Sequence, residues 1–152
     1  LFFTHIEYKS PVVVFTGQFS AIKYSFTKCK YHVLLVTGIA NPQPLRNNIT
    51  RFATDIIELN FPDHYYFKAK DIERIVNEFQ KIEDSKKVII TTEKDAIRLR
   101  EAPNHEMLKS LPIFYIPIEI DFLYNEKNMF NLELLEYVRK NQPISSIYKR
   151  KN

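Results

Sequence analysis

The chain has 152 residues and a net charge of +4, from 22 basic and 18 acidic side chains. Its 45% hydrophobic and 26% charged residues are typical of a globular protein large enough to bury one core. It holds only two glycines, Gly17 and Gly38. This excludes a Walker A loop and a G-x-G-x-x-G turn, because each needs glycines at fixed short spacing. Mixed charges argue against a nucleic-acid partner, and a single cysteine excludes an internal disulfide.

Residues 1–30 differ in pattern from the rest of the chain. Two β-type runs, residues 1–8 and 12–16, are separated by Ser10 and Pro11. Residues 17–30 have no clear period. We therefore expect a strand pair followed by an irregular segment, which together link or extend the main domain.

Strands and helices alternate after residue 30. Apolar runs predict strands at residues 33–37, 55–61, 88–91 and 113–118. Helical spacing predicts helices at residues 44–53, 72–82, 92–99 and 128–138. The pattern predicts an α/β fold, in which a mostly parallel sheet of about four strands carries helices on both faces, preceded by a two-stranded linker segment. We place this domain at residues 31–142 and a basic tail at residues 143–152.

The loops that follow the strands are the expected place for function. Right-handed crossovers put every strand-to-helix loop of a parallel sheet at the same edge, and open α/β sheets bind their ligands there. The predicted loops are residues 38–42, 62–67, 91–95 and the stretch after Ile118. Polar residues that are far apart in sequence should therefore meet in space.

The pair Asp63-His64 stands directly after the predicted strand 55–61. A carboxylate that holds one ring nitrogen of a histidine fixes its tautomer and makes it a better base, so the pair is a candidate catalytic group. Neighbouring residues point to opposite faces of a strand, so the pair should lie in a turn or act on separate partners. A structural alternative stays open, in which Asp63 caps the next turn beside a partly buried histidine.

The run Thr91, Thr92, Glu93, Lys94 and Asp95 brings hydroxyls, two acids and a base to the start of a predicted helix. Thr92 and Asp95 have the spacing of a capping box. A helix N-terminus also favours anions, which makes the run a candidate for lining a substrate or nucleotide cleft. The alternative is a well-capped helix whose charges are only solvated.

Gly38 and Asn41 belong to a tight turn in which the glycine allows a close backbone approach. We include both as candidate cleft residues. We expect no metal site, because four possible ligands lack metal-binding spacing with one another: His5, His32, His105 and Cys29.

Three segments together resemble one family. They are residues 36–42 (VTGIANP), 61–67 (FPDHYYF) and 91–99 (TTEKDAIRL). In this order they are similar to the C-terminal half of tetraacyldisaccharide 4'-kinase, the lipid A 4'-kinase of Gram-negative bacteria. The resemblance covers residues 1–141, including the opening Phe2-Phe3-Thr4.

The resemblance implies an enzyme that transfers the γ-phosphoryl group of ATP, with Mg²⁺, to the 4'-hydroxyl of a tetraacyldisaccharide 1-phosphate at the cytoplasmic face of the inner membrane. In this family an N-terminal P-loop domain carries the phosphate loop, the metal ligands and the membrane-facing helix. That domain is expected to be missing from this chain. The chain alone should then bind no cofactor and be inactive.

The resemblance also implies roles for single residues. His64 would support an aspartate of the other domain in activating the sugar hydroxyl, and Asp63 would orient His64. Gly38, Asn41 and residues 91–95 would line the cleft. The implied partners are the P-loop domain, the lipid substrate and the inner membrane surface, without nucleic acid. The alternative function is a non-enzymatic α/β binding module that docks an anionic ligand or a protein at the same edge.

Overall fold

The computed structural model describes residues 1–16 and 24–141, which belong to two compact units. Among the described residues, the main unit comprises residues 8–16 and 24–118, and the small unit comprises residues 1–7 and 119–141. The predicted tail at residues 143–152 and part of the predicted irregular segment, residues 17–23, lie outside the described residues.

The main unit is built on a five-stranded sheet. Its strands are β2 (Val12–Val13), β3 (Tyr31–Thr37), β4 (Ala53–Asn60), β5 (Lys87–Thr92) and β6 (Ile113–Ile116), in the order β2-β6-β5-β3-β4. All neighbours are parallel except β2, which runs antiparallel to β6. The connecting helices are α1 (Gln43–Ile49), α2 (Ala69–Gln80), α3 (Glu93–Glu101) and a short 3-10 helix, His105–Leu108. The predicted α/β class with a mostly parallel sheet is confirmed.

The core lies on both faces of this sheet, which is why the central strands are continuously apolar. One face packs Val36 of β3 and Ile89 of β5 against helices α2 and α3. The other face packs Val33 and Leu35 against helix α1. Helices therefore cover both faces, as the alternating pattern predicted.

The two strands predicted near the N-terminus form, but the prediction that they pair with each other is wrong. β1 (Thr4–Tyr8) pairs with β7 (Ile118–Phe122), whereas β2 adds to the edge of β6, so the main sheet has five strands instead of about four. Val12 lies opposite Tyr115, and the N–H of Val14 donates to the carbonyl of Ile113 at 2.9 Å. The open edge of β6 offers backbone hydrogen bonds that two isolated strands would lack.

Three predicted element boundaries are also corrected. The helix predicted at 44–53 ends at Ile49, because Ala53 is already buried in β4 and pairs with Tyr31. The strand predicted at 113–118 breaks at Pro117, which has no backbone N–H for a ladder. β4, predicted at residues 55–61, spans Ala53–Asn60, and it is an edge strand with exposed charged residues because only β3 pairs with it among the described residues.

The small unit contains β1, β7 and helix α4 (Lys127–Asn141). Phe2, Phe122 and Phe130 form an aromatic cluster in it, with ring centroids 4.9 to 6.3 Å apart. Within residues 1–16 and 24–141, no helix has the length and apolar character needed to cross a membrane.

Candidate functional site

Three of the predicted loops meet at the carboxyl edge of the main sheet. The backbone N–H of Gly38, after β3, donates to Oδ2 of Asp95 in helix α3 at 2.9 Å. The carbonyl of Gly38 accepts from the N–H of His64, after β4, at 3.2 Å. Residues that lie far apart in the sequence therefore form one hydrogen-bonded cluster, as parallel topology predicted.

The carboxylate of Asp95 is the centre of this cluster. Its side chain is fully buried. Oδ2 accepts from Gly38 and also from the hydroxyl of Thr92 at 2.7 Å, while Oδ1 accepts from Nη1 of Arg98 at 2.9 Å. Thr92 is confirmed as the cap, because its Oγ1 accepts from the Asp95 N–H at 3.1 Å, whereas the Asp95 carboxylate accepts from the Thr92 hydroxyl and does not complete the predicted capping box. Asp95 therefore joins two strand ends and holds an arginine.

A side chain at position 38 would be crowded by its neighbours. A Cβ atom there would lie 3.1 Å from Oδ1 of Asp95 and 3.3 Å from the carbonyl oxygen of Pro62. Both contacts are tighter than ordinary van der Waals packing, and a side chain would press the buried carboxylate away from its donors. The glycine therefore permits the close approach of the β3 turn to helix α3.

His64 lies in a left-handed backbone conformation, with φ of 57°. For a residue other than glycine this costs on the order of 1 kcal/mol, and such residues concentrate at functional sites. The loop compensates because the His64 N–H donates to Oδ1 of Asp63 at 2.9 Å and to Gly38. The side chain of His64 remains 74% exposed, so the backbone is held while the ring is open to a ligand.

Arg98 contacts the His64 ring more closely than Asp63 does. Nη2 of Arg98 lies 3.2 Å from Nδ1 of His64, within hydrogen-bond distance. Oδ2 of Asp63 lies 3.7 Å from Nε2, beyond that distance. Sequence reasoning missed Arg98, although its position three residues after Asp95 predicts an ion pair on one helix face.

The other predicted site residues lie outside this hydrogen-bonded cluster. Asn41 is exposed and accepts from the Gln43 N–H at 3.1 Å, at the start of helix α1. Glu93 and Lys94 are exposed in the first turn of helix α3. Thr91 is buried, and its hydroxyl has no hydrogen-bond partner within the described part of the chain. In the described residues no three His, Cys, Asp or Glu side chains are grouped to hold a metal ion.

Tyr65 fixes the loop that carries His64. Its hydroxyl donates to Oδ2 of Asp71 at 3.1 Å, and the Lys68 N–H donates to the same oxygen at 2.8 Å. The hydrogen bond to Asp71 raises the pKa of Tyr65 above its ordinary value, with desolvation as the smaller cause. The ring of Tyr65 also stacks on Phe61, with centroids 5.2 Å apart. The loop is thereby attached to the start of helix α2.

Comparison with known proteins identifies the family. The sequence model of Tetraacyldisaccharide-1-P 4'-kinase (LpxK) matches residues 8–139. The chain belongs to this family. The tetraacyldisaccharide 4'-kinase of Phocaeicola vulgatus is 41% identical over 93% of this chain, and that of Bacteroides thetaiotaomicron is 42% identical over 79%. The resemblance seen in the sequence is therefore confirmed.

The matched region is only part of these relatives. The chain spans 38% of the length of the Phocaeicola kinase and 32% of the Bacteroides kinase. A crystal structure of LpxK from Aquifex aeolicus in complex with ATP is similar at a TM-score of 0.48 and 17% identity, over 88% of this chain and 35% of that one. By the lengths of the Phocaeicola and Bacteroides kinases, the chain corresponds to one portion of a longer relative.

We predict that Asp95→Asn destabilises the protein by about 3 kcal/mol, the usual cost of breaking a buried ion pair. The amide would place N–H donors against the donors that now meet the carboxylate. Urea unfolding measures the change. Glu93→Gln is the matched control, because it removes an exposed carboxylate from the same helix turn and should change stability by less than about 1 kcal/mol. An equal loss in both variants would contradict the central role of Asp95.

We predict that the stabilisation from Tyr65 depends on pH. Because folding raises the pKa of Tyr65, its contribution is fully present below the ordinary value of 10.0 and is lost as pH rises through the higher folded value. Tyr65→Phe should therefore unfold at lower urea than wild type at pH 8, and the difference should narrow above pH 10. Tyr66→Phe, at a position 80% exposed, is the control and should match wild type at pH 8.

Proposed function

We propose that the chain is the C-terminal portion of a kinase that transfers the γ-phosphoryl group of ATP to the 4'-hydroxyl of a tetraacyldisaccharide 1-phosphate. Family membership over residues 8–139 supports the reaction class. The observation that carries the proposal is His64, whose ring is exposed at the carboxyl edge of the sheet while its backbone and one ring nitrogen are held. A histidine that is fixed on one side and open on the other suits proton and hydrogen-bond chemistry with a bound substrate.

In this proposal Asp63 and His64 serve the acceptor sugar. His64 supports an aspartate from the rest of the enzyme, which activates the 4'-hydroxyl. Asp63 holds the turn through its bond to the His64 N–H and keeps a negative charge 3.7 Å from Nε2. Phosphoryl transfer depends mainly on position and charge stabilisation, so correct placement of the ring is the contribution of this chain.

The two glycines cannot form a phosphate-binding loop, and the described residues group no metal ligands. We therefore propose that the remaining part of the kinase, a P-loop domain, binds the nucleotide and the metal ion. The chain alone is then inactive.

We also propose that the complete protein acts at the cytoplasmic face of the bacterial inner membrane, because its substrate is a lipid. Exposed apolar side chains of helix α4 favour a covering partner within that protein. They are Met129, Leu132, Leu134, Leu135 and Val138. Fractionation of the bacterial cell tests the location, and recovery of all the full-length protein in the soluble fraction would contradict it.

We predict that His64→Gln in the full-length protein lowers kcat by about 100-fold, because the aspartate that acts as the base loses its support, and leaves KM for ATP unchanged. The measurement is phosphorylation of tetraacyldisaccharide 1-phosphate with ATP and Mg²⁺. His105→Gln is the control. His105 lies in the 3-10 helix that precedes β6, at the edge of the sheet opposite to the one that carries His64, so this variant should keep wild-type turnover. The isolated chain should give no turnover.

Two results would overturn this proposal. An inactive, folded full-length wild type would remove the kinase reaction. Wild-type turnover in His64→Gln would keep the reaction and remove His64 from it.

A further inference from the structure

We infer that Arg98 is a positioning residue, which holds the His64 ring so that Nδ1 accepts a hydrogen bond and Nε2 presents an N–H outward. The inference deepens the proposed function and rests on it for the use of the ring. Its geometric basis is the continuous contact from the buried carboxylate of Asp95 through the guanidinium to the exposed imidazole.

The first step is that Arg98 is itself fixed. Its Nη1 donates to Oδ1 of Asp95 at 2.9 Å, and its side chain is only 17% exposed. A guanidinium is planar and rigid, so holding Nη1 also fixes the direction of Nη2. The contact of Nη2 with His64 at 3.2 Å is therefore made by an anchored group, not by a freely moving surface arginine.

The second step concerns the direction of the hydrogen bond. Arginine has only donors, so Nδ1 of His64 must accept. In the neutral imidazole the proton then lies on Nε2. The outward nitrogen of His64 is thus a hydrogen-bond donor in this arrangement, suited to hold a carboxylate that activates the sugar hydroxyl and not to take the proton itself.

The third step is that Gly38, Asp63 and Arg98 contact different parts of His64. Gly38 and Asp63 hold its backbone, because both accept from the His64 N–H. Oδ2 of Asp63 lies 3.7 Å from Nε2, beyond hydrogen-bond distance. Only Arg98 forms a hydrogen bond with the ring among the described residues. Removing Arg98 therefore frees the ring without releasing the loop.

Arg98→Lys distinguishes positioning from a structural role. A lysine has one nitrogen on a flexible stem, so it can remain paired with Asp95 but cannot also hold Nδ1 of His64. If Arg98 only neutralises Asp95, the lysine variant should behave as wild type. If Arg98 positions the ring, the lysine variant should fold normally and lose turnover.

The experiment uses the full-length kinase with ATP, Mg²⁺ and tetraacyldisaccharide 1-phosphate. We expect Arg98→Lys to lower kcat by about 10-fold, within the range for misplaced catalytic groups, with KM for ATP and the thermal midpoint unchanged. In a His64→Gln background the same substitution should change kcat by less than about 2-fold, because both act through one ring. Arg100→Lys is the matched control, since Arg100 is on the same helix and bonds the Val14 carbonyl at 2.8 Å, and it should keep wild-type kcat.

A second measurement does not depend on activity. In ¹⁵N-histidine-labelled full-length protein, with His64→Gln used for assignment, Arg98→Lys should shift the Nδ1 resonance of His64 and leave those of His32 and His105 in place. Loss of kcat that is equal with and without His64, or an unmoved Nδ1 resonance, would overturn the role of Arg98. An inactive wild type whose Nδ1 resonance still responds would instead refute the kinase reaction while retaining the contact.

Discussion

The carboxylate of Asp95 is the interaction on which the edge of the main sheet depends. It is fully buried, yet it receives donors from the β3 turn, from the cap of helix α3 and from Arg98. A buried carboxylate with fewer partners would be costly, so the β3 turn and the first turns of helix α3 are held together around it. The turn that follows β3 therefore has one position relative to helix α3, and the His64 N–H binds to that turn.

Two local features of this arrangement are sterically or conformationally unfavourable. The β3 turn needs Gly38 because any Cβ would press on Asp95, and His64 takes a left-handed conformation that few residues adopt readily. Both are compensated by hydrogen bonds from the same cluster. The result is one exposed ring held in a fixed direction, which is the pattern expected where chemistry occurs.

Periodicity and topology made much of this fold predictable. Continuous apolar runs identified β3 and β5, and parallel connections predicted that Gly38, His64 and Asp95 would meet. The pairing of β1 and β2 failed, because pairing depends on which distant edge is open, a property that no local pattern contains. The early end of helix α1 was missed because burial of Ala53 in β4 outweighs its helix propensity.

Within the site, the residue types were predictable from the sequence, whereas their geometry was not. Asp63 and His64 were recognisable by residue type and by their place after a strand, and whether they are catalytic stays a prediction. The left-handed φ of His64 and its contact with Arg98 depend on tertiary structure, since 34 positions separate the two residues. The resemblance implied that Asp63 orients the ring, and in the structure Oδ1 of Asp63 accepts from the His64 backbone N–H. Arg98 of helix α3 reaches the ring. A ring that must present one nitrogen to a partner from elsewhere in the enzyme has to be held stiffly. An anchor on a packed helix is stiffer than a neighbour in the same turn. This is the physical reason to seek the orienting residue of His64 on helix α3.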